Sequence, residues 1–186
     1  MIRIESSGVF CYYENKYNTK RSGIMRFQHE KEFPFTMDTA WKALHKPASL
    51  DVSPGSEVTV ISDTEWSGKT ASSDGKVVTT TNYTASFDEE KKQVTIEGAS
   101  DNKKGHDFIY LTLEEVSEGS VKLIIEVEIN TGAHFIAKAV GAIFAKPIEQ
   151  IMCKHIYQNF EALCTGAETK RMSKEELDAH AKEFLS

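Results

Sequence analysis

The chain has 186 residues, 40% of them hydrophobic and 27% charged, which suits one globular domain with a substantial core. Its formal charge is −6, and the basic residues are scattered, with pairs such as Lys103-Lys104 and Lys170-Arg171 the densest. Binding to phosphate needs a concentrated positive surface, so this distribution argues against nucleic acid as a main partner.

Residues 1–22, "MIRIESSGVFCYYENKYNTKRS", contain a short strand-like stretch, "GVFCYY", and a polar loop. They show neither an apolar h-region nor a small-residue cleavage site, so no signal peptide is read there and a cytoplasmic protein is expected. From Ile24 to Glu32 the pattern is that of a strand, with Met25, Phe27 and His29 on one side and Arg26, Gln28 and Glu30 on the other. Phe33-Pro34 ends it. "FTMDTAWKALHKP" then reads as a short helix, with Thr36 and Asp38 available as caps, Ala40, Trp41 and Leu44 as its apolar face, and Pro47 past its end.

The turn "SPGS", Ser53 to Ser56, opens a series of strands. Val58 and Val60 alternate with Thr59 and Ile61 in the first. The β-branched run from Lys76 to Phe87 follows the turn "SSDG", and "DEEKK" leads to the strand "QVTIEG". After "DNKKG", the arms "HDFIYLTLEEV" and "VKLIIEVEIN" flank "SEGS" as a hairpin. In its second arm Val121, Leu123, Ile125, Val127 and Ile129 face one way, and Lys122, Glu126 and Glu128 the other. Short turns between successive strands predict an antiparallel meander, and single apolar faces predict that one side of it is covered.

The cover is the segment from Gly132 to Leu163. Ile136, Val140 and Ile143 recur at helical spacing, joined by Phe144, Ile148 and Ile151, and by Ile156, Phe160 and Leu163 past Pro147. A kink is expected at that proline, and a continuous helix from about Ala133 would be on the order of 45 Å long. Lys138 and Lys146 interrupt its most apolar window, which falls short of the roughly 20 apolar residues a membrane span needs. Gly166 can end it. The tail "SKEELDAHAKEFL" carries a capping box, Ser173 with Glu176, and then a short apolar stripe. As a second, shorter helix it is expected to dock only at the periphery and to be dispensable for folding.

This order of elements, with "FPFTMDTAWKAL" early and "AVGAIFAKPIEQIMCKHIYQNFEAL" late, resembles the SRPBCC superfamily: START domains, birch-pollen-allergen-like and polyketide cyclase-like proteins. The resemblance covers roughly Gly23 to Thr165. It implies an α+β helix-grip fold, a curved antiparallel sheet wrapped around a long C-terminal helix, with two short helices after the first core strand. The domain division expected is an N-terminal extension (1–22), a ligand-binding domain (23–166) and a tail helix (167–186). The superfamily mostly binds hydrophobic or amphipathic small molecules, lipid-, sterol- or polyketide-like, in a cavity between sheet and helix. Its catalytic residues are not shared, so none is carried over.

Within that frame Ala133, Ala137, Gly141 and Ala145 repeat every four residues and stack along one helix stripe. They serve either close packing against the sheet or room for a ligand, and the resemblance favours the second. The candidate ligand-binding residues are Tyr83, Phe87, Ile125, Ala137, Gly141, Phe144 and Ile148. On the Val77–Phe87 strand Thr79, Thr81 and Tyr83 would add hydroxyls to a mostly apolar lining, or else alternate at the surface.

Other motifs carry less. "WSGKT" at Trp66 to Thr70 ends like a phosphate-binding loop, but Asp63 stands where the first glycine is needed. The three cysteines, Cys11, Cys153 and Cys164, fit neither a disulfide framework nor a zinc site. The six histidines show no metal-ligand spacing, so neither metal nor cofactor is expected. His29 and His155 lie near apolar stripes and are read as buried polar residues with hydrogen-bond partners, or as contacts to a ligand. Three classes of function follow: a small-molecule binding module, a cyclase-, dehydratase- or hydrolase-type enzyme using the same cavity, or an interaction protein with an exposed apolar helix. The mainly aliphatic and hydroxyl-bearing lining favours the first. The terminal extensions are candidate surfaces for self-association.

Overall fold

The computed structural model describes residues 24–71, 78–101, 105–130 and 142–183. Seven strands form one antiparallel sheet: β1 (Ile24–Phe33), β2 (Glu57–Val60), β3 (Glu65–Ala71), β4 (Val78–Asp88), β5 (Gln93–Ser100), β6 (His106–Ser117) and β7 (Ser120–Asn130). Their spatial order is β1-β7-β6-β5-β4-β3-β2. From β2 to β7 each strand therefore pairs with its neighbour in sequence, as a meander does, and β1 closes the far edge against β7. β3 is a strand that the sequence pattern does not predict, since "EWSGKTA" has only two apolar side chains larger than glycine, Trp66 and Ala71, and no regular alternation. It carries Trp66, one of the largest fully buried side chains in the core.

Between β1 and β2 lie α1 (Met37–Leu44) and a single 3-10 turn, Pro47–Ser49, which is the second of the two short helices expected. Thr36 caps α1 by accepting from the Thr39 N–H, and Ala40, Trp41, Ala43 and Leu44 are its buried residues. The long helix, α2 (Ala142–Thr165), runs through Pro147 without ending there. The expected helix over residues 132–141 lies outside the described residues. Past Pro147, Ile156 and Phe160 are fully buried, and Phe160 meets the Phe33 ring edge-on at 5.0 Å between centroids. α2 stops at Gly166, whose φ of 73° places it in the left-handed region. The Ala167 N–H donates to Ala162 O and the Gly166 N–H to Leu163 O, the paired bonds of a Schellman cap.

The tail helix, α3 (Lys174–Glu183), starts at the expected capping box: the Glu176 N–H donates to Ser173 Oγ, and the Ser173 N–H to Glu176 Oε2. Lys170 and the Ser173 N–H hold the Glu176 carboxyl down at about 2. The peripheral docking expected of the tail helix does not extend to the segment leading into it, 170–172. Asn159 on α2 grips Lys170 by two bonds, Nδ2 to the Lys170 carbonyl and the Lys170 N–H to Oδ1, both 2.9 Å. The Met172 N–H donates to buried Asp51 at 2.8 Å, and the Gly55 N–H donates to the Met172 carbonyl at 3.0 Å. Backbone groups with fixed partners in the loop after α1 make this stretch part of the same packed unit.

Candidate functional site

Strand periodicity and register build a continuous apolar wall on the face of the sheet that turns toward α2. Ala85, Ile96, Ile109, Val127 and Phe27 lie opposite one another across β4, β5, β6, β7 and β1. The next row is Phe87, Val94, Leu111, Ile125 and His29. Val94, Ile96, Leu111 and Ile125 are buried, as successive inward positions on period-2 strands must be when the sheet is covered on one side. A third row runs from Trp66 through Tyr83 and Gly98 to Asp107.

Three of the candidate ligand-binding residues, Tyr83, Phe87 and Ile125, are thus brought onto one face. Tyr83 is stacked on Trp66, with centroids 5.4 Å apart and planes 14° off parallel. Burial raises the Tyr83 phenol above its ordinary range, and hydrogen bonds with Ser53 and Thr81 partly offset that rise. On this strand the Tyr83 hydroxyl lies among polar neighbours, Ser53 and Thr81, at a largely buried position. Phe87 is engaged from α1: His45 stacks on it at 4.5 Å and Trp41 meets it edge-on at 6.2 Å. Trp41 Nε1 donates to Glu89 at 2.8 Å, tying α1 to the β4–β5 turn. Ile125 lies opposite His29 in the wall. Ala137 and Gly141 lie outside the described residues, and for Phe144 and Ile148 the structure describes only the helical backbone.

Two histidine–carboxylate pairs join the sheet and loops to α2, and sequence reading anticipated the histidines but not their partners. His29 Nε2 is 2.7 Å from Glu149 Oε1, with the side chains 10% and 7% exposed. His155 Nδ1 is 3.0 Å from Asp51 Oδ2, but off the direction a hydrogen bond requires, so that contact is electrostatic. The partners lie 120 positions apart in the first pair and on a loop in the second, separations that no local spacing rule reports. Glu149 follows Pro147 in a stretch where sequence periodicity marks only apolar residues. Cys164, half-buried near Glu161, has its thiol pushed up to about 12 by burial, which favours the protonated thiol over the thiolate. Among the described residues no group of three or more His, Cys, Asp or Glu side chains is arranged to hold a metal ion. No described helix is long and apolar enough to cross a membrane.

This architecture is the SRPBCC-type helix-grip fold, shared with Bet v 1-like and START-superfamily structures. Solved structures similar to the chain include Ara h 8.0201, at 12% identity and a TM-score of 0.53, covering 77% of this chain and 99% of that one. A START superfamily protein from Mycobacterium smegmatis matches at 8% identity and a TM-score of 0.54, over 76% of this chain and 97% of that one. Norcoclaurine synthase from Thalictrum flavum, in complex with dopamine and hydroxybenzaldehyde, matches at 12% and 0.52, over 89% and 100%. No protein-family model matches the sequence, and no curated protein does. At such identities the likeness establishes the fold alone.

Proposed function

We propose that this protein binds a hydrophobic or amphipathic small molecule between the inner face of its sheet and its long helix. The observation that carries this reading is the wall itself: adjacent cross-strand rows of aliphatic side chains, interrupted by the Tyr83 hydroxyl and the His29–Glu149 pair. A mostly apolar surface with a few placed polar groups is the usual make-up of a small-molecule site. The complex of norcoclaurine synthase with dopamine and hydroxybenzaldehyde supports the idea that such folds take small aromatic molecules. The candidate contacts are Tyr83, Phe87 and Ile125 from the sheet, with Ala137, Gly141, Phe144 and Ile148 from the helix.

A second reading, an enzyme acting on such a ligand, is favoured by one observation: His29 and Glu149 are titratable groups held together in the interior. The binding reading needs no chemistry and is preferred.

Native mass spectrometry on protein purified without denaturation is the direct test, and the expected result is a retained small molecule. ANS titration of the wild type and of Gly141→Leu adds a second. Leucine there raises helix propensity by up to about 1 kcal/mol, so a variant that keeps its stability and loses ANS binding supports the site. A loss of about 1–3 kcal/mol with ANS binding intact would mean that Gly141 serves tight packing, and would count against it.

A further inference from the structure

We propose that the His29–Glu149 pair is the hydrogen-bonding anchor of this site, and that it selects apolar ligands bearing a hydroxyl over those bearing a carboxylate. The inference rests on the ligand-binding reading above and adds the chemical group that is recognised. His29 ends the wall row that contains Ile125, and Phe27 stands edge-on to its ring at 6.2 Å. The pair therefore sits where the apolar lining of β1 and β7 meets α2.

The bond uses one atom from each partner, His29 Nε2 and Glu149 Oε1, at 2.7 Å. His29 Nδ1 and Glu149 Oε2 make no hydrogen bond among the described residues. Neither atom is sealed from solvent as His155 Nδ1 is, so each keeps hydrogen-bonding capacity that a bound molecule can reach. The other pairs are less suited to a ligand: His155 Nδ1 has no hydrogen-bond partner but is fully buried against Asp51. The Asp51 carboxylate accepts from Met172, and Arg171 lies 3.9 Å away. Glu89 accepts from both Trp41 and Lys92. His106 and Glu97 are half-exposed at the opposite, solvated side.

The ligand chemistry follows from what the free atoms can do. With His29 neutral and donating to Glu149, both free atoms are acceptors; with His29 protonated, Nδ1 donates and Oε2 accepts. A hydroxyl is donor and acceptor at once, so it satisfies either state. A carboxylate only accepts, and it would be set against the like charge of Glu149 in a poorly solvated place. Lys31, the nearest cation along that face of β1, does not offset this charge, because its ammonium lies over the Phe33 ring at 4.7 Å.

The test is a fluorescence titration of the full chain with 2-naphthol, 2-methylnaphthalene and 2-naphthoate, three probes of one shape. Wild type should bind the naphthol about tenfold more tightly than the methyl compound, and the naphthoate most weakly. Glu149→Gln removes the charge at constant shape and should bring naphthoate to within about threefold of the methyl compound. Long-range ¹H–¹⁵N spectra of wild type need no variant: the His29 Nδ1 resonance should move with naphthol and stay with methylnaphthalene. Equal affinity for naphthol and methylnaphthalene with an unmoved His29, or naphthoate binding tightest, would overturn the anchor and leave the apolar site standing. Failure of all three probes to bind would overturn both.

Discussion

A Cβ added at Gly98 would stand 3.0 Å from Tyr83 Cε1 and 3.3 Å from Cδ1. Gly98 lies directly opposite Tyr83 in the sheet, and the ring lies over the space a side chain would fill. The ring cannot retreat toward β3 because Trp66 is stacked there. Gly98→Ala should therefore cost about 1 kcal/mol through overpacking. Urea unfolding is the measurement: the midpoint should fall with the slope unchanged. A variant as stable as the wild type would show that Tyr83 moves freely and is not fixed as part of the site wall. In the sequence Gly98 reads only as the end of "QVTIEG", since cross-strand pairing, not chain order, puts a tyrosine over it.

Among the elements, the tail shows how a peripheral-looking segment joins a core. Its apolar stripe is short, and nothing in its own residues marks Lys170–Met172 as embedded. The embedding comes from buried acceptors elsewhere, Asn159 on α2 and Asp51 in the loop after α1, together with burial of Met172. Ending the chain at Thr169 deletes five hydrogen bonds to the rest of the chain and uncovers apolar surface, a combined loss of about 4 kcal/mol. The melting temperature should fall on the order of 10 °C. An unchanged melt would restore the view of the tail as dispensable, the view its sequence suggests. By contrast, the capping boundary at Ser173 and the stop at Gly166 were both legible, because caps are local and depend on one or two side chains.

For the whole molecule, a ligand held inside couples to stability. Whatever molecule native mass spectrometry identifies, supplied at a hundred times its Kd, should stabilise the folded state by about 2.7 kcal/mol. In a chain of this size that is a rise in melting temperature of roughly 5–10 °C. A retained molecule that leaves the melt of stripped protein unmoved on re-addition would not be bound by the native state in preference to the unfolded chain. The molecule would then be a surface contaminant and the interior site would lose its support.

The sequence by itself determined the meander, the covered face, the caps and the long helix that runs through Pro147 to its stop at Gly166. Each of these is written in periodicity or turn chemistry within a dozen residues. Alternation also grouped Tyr83 with Phe87 on one face of its strand and put Ile125 on the apolar face of its own, but it left open whether the Tyr83 face turns inward. Only the tertiary structure decided which groups on that face meet. It set Tyr83 between Trp66 and Gly98, turned Phe87 toward His45, and paired His29 with Glu149 across 120 positions. Such contacts depend on strand order and on how the helix crosses the sheet, and one chain's local pattern encodes neither.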